Sequence, residues 1–196
     1  ARDMREAAVF DESVRPASTD QLRRAVIACW PARWTAWKSG WAMRQVKSAF
    51  EVTMLEKAIT ITVNGIRSAA KVIAPGTMEY EAEAALEYEF RRSGSERPGF
   101  PSIVGSGPFS TILHYDENSR KMQTGDTVVV DVGAEYSGYS ADVTRTFPVS
   151  GKFSARQREI YQIVLDAQKA AVAKIKPGVR IREIHQAAYD VIKSKG

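Results

Sequence analysis

The chain has 196 residues, which is enough for one domain of ordinary size or for one domain and part of another. Hydrophobic residues make up 44% of it, charged residues 26%, and no apolar run approaches the ~20 residues of a membrane span, so no membrane partner is expected. The net charge is +5, with most of the excess in the first 50 residues. No basic stripe is interleaved with aromatic residues elsewhere, so the composition does not favour nucleic-acid binding.

Cysteine usage and the N-terminal residues indicate the compartment. Cys29 is the only cysteine, which excludes an internal disulfide and a cysteine-built zinc site. The segment from Ala1 to Glu6 is charged and has no signal-peptide pattern, so we expect a cytoplasmic protein. The first residue is not methionine, and we expect a processed or truncated end.

Residues 1–42 differ from the rest of the chain, because Pro16 and Pro31 interrupt their hydrophobic pattern. Four tryptophans there recur at the spacing of one helix face. They are Trp30, Trp34, Trp37 and Trp41. Two interpretations remain open: a helix packed against the main domain, or an interface for a second domain or subunit.

From Phe50 onward the hydrophobic pattern is regular and predicts four helices, of which the first and third end at a Pro-Gly pair. Short apolar runs between the second and third helices predict strands. In chain order we predict helices at 51–73 and 79–93, strands at 103–104 and 111–115 around a glycine-rich loop, a hairpin of 127–135 with 139–149, and helices at 156–175 and 182–194.

This order contains a repeat, because the helix, Pro-Gly, helix pattern occurs twice, with Pro75 and Pro177 at equivalent positions. In the first copy the second helix leads into strands and the hairpin. In the second copy the chain reaches Gly196 where such strands are due. We therefore expect an incomplete second copy with an uncovered sheet edge, and hence self-association into homo-oligomers or aggregates.

Two aspartates, Asp131 and Asp142, interrupt the apolar strands of the predicted hairpin. An unpaired carboxylate within a strand is costly. A turn near residues 136–137 places the two directly opposite each other, with Cβ atoms ~5 Å apart. They then either hold a divalent cation, or form a dyad that shares a proton or pairs with Arg145. Oxygen ligands suit Mn, Mg or Ca, and a mixture with imidazole also suits Zn, Co or Fe.

His114 ends the predicted strand 111–115 and precedes the hairpin closely enough to lie beside it. Its candidate role is that of a hydrogen-bond donor to a reacting carbonyl or a general acid. The alternative is a strand-end histidine that bonds to the backbone. The other histidine, His185, has no second histidine four residues away, and we interpret it as structural.

Several short motifs of this chain resemble those of the pita-bread metallopeptidases, in the same order. They are Ile103-Val104-Gly105-Ser106-Gly107, Ile112-Leu113-His114-Tyr115, Val130-Asp131-Val132-Gly133 and Asp142-Val143-Thr144-Arg145-Thr146-Phe147. The resemblance covers about residues 43–196 and is strongest to the Xaa-Pro aminopeptidase (aminopeptidase P) branch, with Xaa-Pro dipeptidase (prolidase) next. It implies an α+β pita-bread fold, an antiparallel sheet covered by helices, of which this chain has the first half and part of the second.

The resemblance also implies a hydrolase that releases the N-terminal residue from peptides with proline second, by attack of a metal-held hydroxide on the Xaa-Pro carbonyl. Asp131 would be a terminal ligand of one ion, and Asp142 would bridge two ions. These ions would be manganese, with cobalt or zinc as alternatives. His114 would be the catalytic residue near the scissile bond, and Thr144 would support the ligands.

The sequence departs from the family pattern, because it lacks the further histidine and two glutamates that the family takes from its second half. We therefore expect residues 43–196 to be an incomplete catalytic domain, inactive alone, and residues 1–42 to be the tail of an N-terminal domain or a linker. Two alternatives are carried forward: a prolidase, and a metal-free interaction module of the same fold.

Overall fold

The computed structural model describes residues 44–195, which divide into two units. One unit consists of residues 50–154, and the other of residues 44–49 and 155–195. The predictions for residues 1–42, including the tryptophan-lined helix, lie outside the described residues. No helix within the described range has both the length and the apolar character needed to cross a bilayer.

Two helices open the first unit, α1 (Ala49–Val72) and α2 (Glu79–Arg92), and both lie where the periodicity predicts them. The Pro-Gly pair after α1 reverses the chain. Gly76 there has a φ of 94°, a left-handed conformation that glycine adopts without the steric cost of a Cβ. Its N–H donates to the carbonyl of Met122 at 2.9 Å, which ties the turn to the segment before the hairpin.

The strands that follow α2 form two three-stranded antiparallel sheets. The order in one sheet is β1–β4–β5, and the order in the other is β2–β3–β6. The strands are β1 (Arg97–Pro98), β2 (Ile103–Ser106), β3 (Thr127–Val132), β4 (Ala134–Tyr136), β5 (Tyr139–Ser140) and β6 (Val143–Pro148). The predicted hairpin is therefore confirmed, although its two arms are shared between both sheets.

The hairpin reverses at Ser137 and Gly138, whose φ angles of 51° and 80° suit a two-residue hairpin turn. The predicted turn was one residue too early, and the predicted pairing was wrong by two residues. Asp131 lies opposite Thr144, not opposite Asp142. Because side chains alternate with a period of two, this shift keeps the two aspartates on the same side of the hairpin.

The hairpin passes from one sheet to the other at Gly133 and Ala141. A Cβ on Gly133 would lie 1.8 Å from the carbonyl oxygen of Ala141 and 2.9 Å from the ring of Phe100, so only glycine allows this approach. The crossing is held by backbone hydrogen bonds. The Ala141 N–H donates to Ala134 O at 3.0 Å, and the Gly99 N–H donates to Gly133 O at 2.8 Å.

The hydrophobic core of the first unit joins α1 and α2 to the sheet of β2, β3 and β6. Alternate residues of β3 are fully buried, as the period of a strand predicts. They lie in one cluster with residues from both helices: Val128, Val130 and Val132 with Ile61, Ile66, Leu86 and Phe90. The other face of β3, which carries Asp131, is left for the site.

Thr62 joins α1 to the start of β4 inside this core. Its hydroxyl donates to Ala58 O at 2.8 Å and accepts from the Ala134 N–H at 2.9 Å. Thr62→Val keeps the shape but leaves a buried N–H unpaired, so we expect the free energy of unfolding in urea to fall by about 1–3 kcal/mol. Thr60→Val is the control, because that hydroxyl donates to Glu56 O on the exposed side of α1. Equal losses in both variants would contradict the assignment.

Within residues 155–195 the second unit contains two helices, α3 (Ala155–Lys174) and α4 (Ile181–Lys195), which match the predicted spans. They pack on each other, and the ammonium of Lys195 forms an ion pair of 2.6 Å with Asp166. Both helices therefore form one helical pair.

The turns of the two helical pairs confirm the predicted repeat in their local structure. The Thr77 N–H donates to Ala74 O, and the Val179 N–H donates to Lys176 O, each at 3.2 Å and at equivalent positions of the repeat. Gly178 has a φ of 87°, close to that of its counterpart in the first turn. The same Pro-Gly chemistry thus produces the same reversal twice.

Candidate active site

Asp131 occupies the penultimate position of β3, on the face of the strand that points away from the hydrophobic core. Its neighbours across the sheet are Ile103 on β2 and Thr144 on β6. The Thr144 hydroxyl donates to Asp131 Oδ1 at 2.8 Å. This hydrogen bond fixes one oxygen of the carboxylate, and Asp131 also lines the adjacent cavity.

Asp142 follows the crossing at Ala141 and comes directly before β6. It lines the same cavity as Asp131. The guanidinium of Arg145 donates to the carbonyl of Thr144 at 2.7 Å. The structure therefore does not support the alternative in which Arg145 neutralises the acidic pair.

The surroundings of Asp142 disfavour the ionised form of its carboxyl group, although the residue as a whole is exposed. Partial burial raises the pKa of Asp142 above its ordinary value of 3.8, and the charge of Asp131 and a hydrogen bond with it raise this pKa further. Burial and the neighbouring carboxylate of Asp131 thus both disfavour the ionised form of Asp142.

His114 does not lie on a strand, and the prediction of a strand at 111–115 is wrong. A 3-10 helix, Gly107–Thr111, occupies this part of the chain and is followed by a turn. The hydroxyls of Ser110 and Thr111 donate to the carbonyls three residues before them, at 2.7 and 2.9 Å, and such local bonds compete with strand pairing. His114 ends the turn with a φ of 57° and an exposed side chain.

The structure nevertheless brings all three predicted site residues to the same cavity. Its volume is about 380 Å³. The lining has an apolar part and a polar part, and consists of Phe100, Pro101, Ile103, His114, Asp116, Asp131 and Asp142. Sequence reasoning missed Asp116, for which the only signal was its position two residues after His114.

The acidic pair fits part of a metal site. Among residues 44–195 no group of three or more His, Cys, Asp or Glu side chains is placed to hold a metal ion. Asp131 and Asp142 line one cavity, and their carboxylates repel each other, which a divalent cation would offset. His185, on α4 in the second unit, is exposed.

Comparison with known proteins places the chain in a family. A profile of the metallopeptidase family M24 matches residues 53–196, which is most of the chain. The chain belongs to the M24 metallopeptidases. Membership of this family implies divalent metal ions, in keeping with the acidic pair on the cavity wall.

Individual relatives agree with the family assignment. The chain is 44% identical to the Xaa-Pro aminopeptidase of Escherichia coli over 142 residues, covering 72% of this chain and 32% of that protein. It is 39% identical to the Xaa-Pro dipeptidase of Pyrococcus furiosus over 154 residues, covering 79% of this chain and 44% of that protein. The chain thus spans 32% to 44% of the length of these relatives.

Solved structures confirm the predicted α+β pita-bread fold of this M24 chain. A zinc-substituted aminopeptidase P of Escherichia coli, in complex with product, superposes with a TM-score of 0.74 at 42% identity. The match covers 76% of this chain and 34% of that one. The prediction that the resemblance extends over most of the chain is also confirmed.

Proposed function

We propose that this chain contributes part of the dinuclear metal centre of an Xaa-Pro aminopeptidase. The observation that carries the proposal is that Asp131, Asp142 and His114 line one cavity. The identity of 44% to an Xaa-Pro aminopeptidase supports a peptide with proline second as the substrate.

In this proposal Asp131 would hold one divalent ion, and Asp142 would contribute to holding both. Bound divalent ions supply an activated water at neutral pH and stabilise negative charge that develops on the reacting carbonyl. Thr144 orients Asp131 through its hydrogen bond, so that one carboxylate oxygen keeps a fixed direction. Such supporting bonds set the geometry and basicity of a ligand.

His114 acts on the substrate, not on the metal. Its imidazole lines the cavity together with the acidic pair. From there it donates a hydrogen bond near the scissile bond and stabilises the charge of the tetrahedral intermediate. The apolar side chains of the same cavity exclude water from part of its wall and so strengthen such a bond.

Manganese is the proposed metal, with cobalt or zinc as alternatives. Carboxylate oxygens suit manganese, and the addition of imidazole from elsewhere would also suit zinc or cobalt. The structure of one relative has been solved in a zinc-substituted form. Competition between these ions for the native protein, followed by elemental analysis, distinguishes them.

Further parts of the proposal concern the organisation of the protein. Residues 43–196 form an incomplete catalytic domain and residues 1–42 the tail of an N-terminal domain or a linker. The protein is cytoplasmic and forms homo-oligomers. The second candidate is a prolidase, favoured by the similarity to an Xaa-Pro dipeptidase. A metal-free interaction module is the weaker candidate, because both aspartates are present.

The test is manganese-dependent release of the first residue from a peptide whose second residue is proline. We expect the protein isolated from its own cells, with its native ends, to release the first residue from both a tripeptide and a dipeptide. A prolidase would accept only the dipeptide. A matched tripeptide with alanine second serves as the control for proline selectivity. The isolated 196-residue chain is expected to release nothing, because its described residues form no group of three ligands.

The outcomes separate the candidates. Absence of release by the native protein at saturating manganese, cobalt or zinc would contradict the peptidase proposal and favour the interaction module. Release by the isolated chain would contradict the expectation that its ligand set is incomplete.

A further inference from the structure

A fully buried carboxylate, that of Glu79, lies at the first position of α2, away from the acidic pair. Each of its two oxygens accepts two hydrogen bonds. Oε1 accepts from the backbone N–H and the hydroxyl of Ser106 at 2.7 and 2.6 Å. Oε2 accepts from the Tyr115 hydroxyl and the Arg120 N–H, both at 2.8 Å. Every site on this carboxylate is therefore filled by a protein donor.

This arrangement is more specific than burial of an acid requires. A buried carboxylate is tolerated only when it is paired and hydrogen-bonded, and an acidic residue in the first turn of a helix also interacts well with the helix dipole. None of these four donors is a charged group. The guanidinium of Arg120 donates to Ser106 Oγ at 2.7 Å and to Asp126 at 2.5 Å. The carboxylate is thus stabilised by four oriented dipoles.

The donors come from both ends of one segment, residues 106–120. Ser106 ends β2, whose first residue, Ile103, lines the cavity. Tyr115 directly follows His114, and Arg120 lies at the far end of the segment. Glu79 therefore clamps together the two ends of the loop that carries His114 into the cavity.

The loop needs such support at His114. The φ of 57° at this residue is a left-handed conformation, which costs a residue with a side chain about 1 kcal/mol or more and persists only when the surroundings fix it. The phenol ring of Tyr115 packs on Phe109 with centroids 4.9 Å apart, and its hydroxyl is anchored on Glu79. A fixed residue at 115 leaves little freedom for residue 114.

We propose that Glu79 is a positioning residue, which sets the direction of the His114 imidazole through Tyr115 and the clamped loop. The role of His114 in peptide cleavage rests on the proposed function, whereas its placement by Glu79 does not. None of the residues that donate a hydrogen bond to the Glu79 carboxylate, which are Ser106, Tyr115 and Arg120, lines the cavity.

The test uses NMR of the histidine rings in the metal-free chain. The chain has only two histidines, so a His114→Gln variant assigns the His114 ring signals directly. Glu79→Gln keeps the side-chain shape, but its amide group replaces an acceptor by a donor and leaves two of the four donors without a partner. We expect the His114 ring signals to shift and broaden, while those of His185 stay in place.

The matched control is Glu89→Gln, which alters a second buried carboxylate near the other end of the same helix. Glu89 bonds to Arg92 at 2.6 Å and to Ser93 at 3.0 Å, with no link to the His114 loop. It is expected to lower stability without moving the His114 signals. Tyr115→Phe removes only the phenol donor and keeps the ring, so it reports the same coupling should Glu79→Gln fail to fold.

The peptidase activity of the protein isolated with its native ends gives an independent readout. There Glu79→Gln is expected to lower kcat on the proline peptide by about 100-fold with little change in KM, the loss typical of a catalytic group displaced by about 1 Å. His114 signals that stay unchanged in both Glu79→Gln and Tyr115→Phe would overturn the positioning role. Shifted signals in a protein without peptidase activity would uphold the positioning role and contradict the proposed function.

Discussion

Replacing Asp142 by asparagine is expected to abolish manganese-dependent peptide release and to weaken manganese binding by more than about 100-fold, beyond the 10–100-fold typical of losing a supporting hydrogen bond. The reason is that Asp142 is the proposed shared ligand, and an amide supplies neither the charge nor the second anionic oxygen. Thr144→Val, which removes the bond to Asp131 Oδ1, should cost about 10–100-fold. Titration of manganese, followed by its electron paramagnetic resonance signal, measures both variants.

The same substitution should stabilise the metal-free protein at neutral pH. The folded protein raises the pKa of Asp142 above 3.8, by burial first and by the charge of Asp131 second, so the folded state binds this proton more tightly than the unfolded state. The contribution of Asp142 to the free energy of unfolding therefore falls as the pH rises from 3.8 through the raised pKa. Above that pKa the loss of stability remains. In thermal unfolding measurements, the stability of the Asp142→Asn variant should not show this fall with rising pH.

Asp190→Asn is the control for both measurements, because Asp190 is an exposed carboxylate on α4 that accepts a hydrogen bond from Gln186. It should leave manganese binding unchanged and unfolding within about 0.5 kcal/mol of wild type. Manganese binding that survives Asp142→Asn, or a metal-free variant that is less stable than wild type at neutral pH, would contradict the assignment of the acidic pair.

Phe90→Ala is expected to cause the largest loss of stability, about 3–5 kcal/mol. Phe90 is fully buried on α2, and its ring lies so close to α1 that a Cβ on Gly65 would be 2.3 Å from it. Removal of the ring leaves a cavity between the two helices that neither can close. Because domains of this kind are stable by only about 5–15 kcal/mol, the urea midpoint should drop steeply.

Tyr88→Ala is the matched control for Phe90→Ala, since it removes an aromatic ring two residues earlier on the same helix that is 70% exposed. Its unfolding free energy should lie within about 0.5 kcal/mol of wild type. Similar losses in the two variants would mean that the helix itself, not the packing of α2 on α1, determines stability.

The helices and the hairpin were predictable because their signals are local. Apolar residues with helical spacing and the Pro-Gly pairs defined α1 to α4 within two residues, and alternation in β3 separated Asp131 from the buried valines. The register was predicted wrongly, although Ser137-Gly138 carried the signal. Glycine at the second turn position suits the positive φ angles of a two-residue turn, a stronger guide than symmetry between the two aspartates.

The surroundings of His114 were not predictable in the same way. Its apolar neighbours Ile112 and Leu113 have strand composition, yet they are exposed, and hydroxyl groups earlier in the segment favour a 3-10 helix. The role of Glu79 was also hidden. An acidic residue in a first helical turn is ordinarily solvated, and its donors lie 27 to 41 positions away in the sequence.

The contact between Gly133 and the carbonyl of Ala141 has a consequence for how the acidic pair meets a cation. Main-chain atoms, with no intervening side chain, set the separation of the segments that carry Asp131 and Asp142. The site is preorganised, so capture of an ion orders little that was free before and loses little conformational entropy. Amino-acid exchanges elsewhere in the hydrophobic interior can then accumulate over evolution while the spacing of the two carboxylates stays constant.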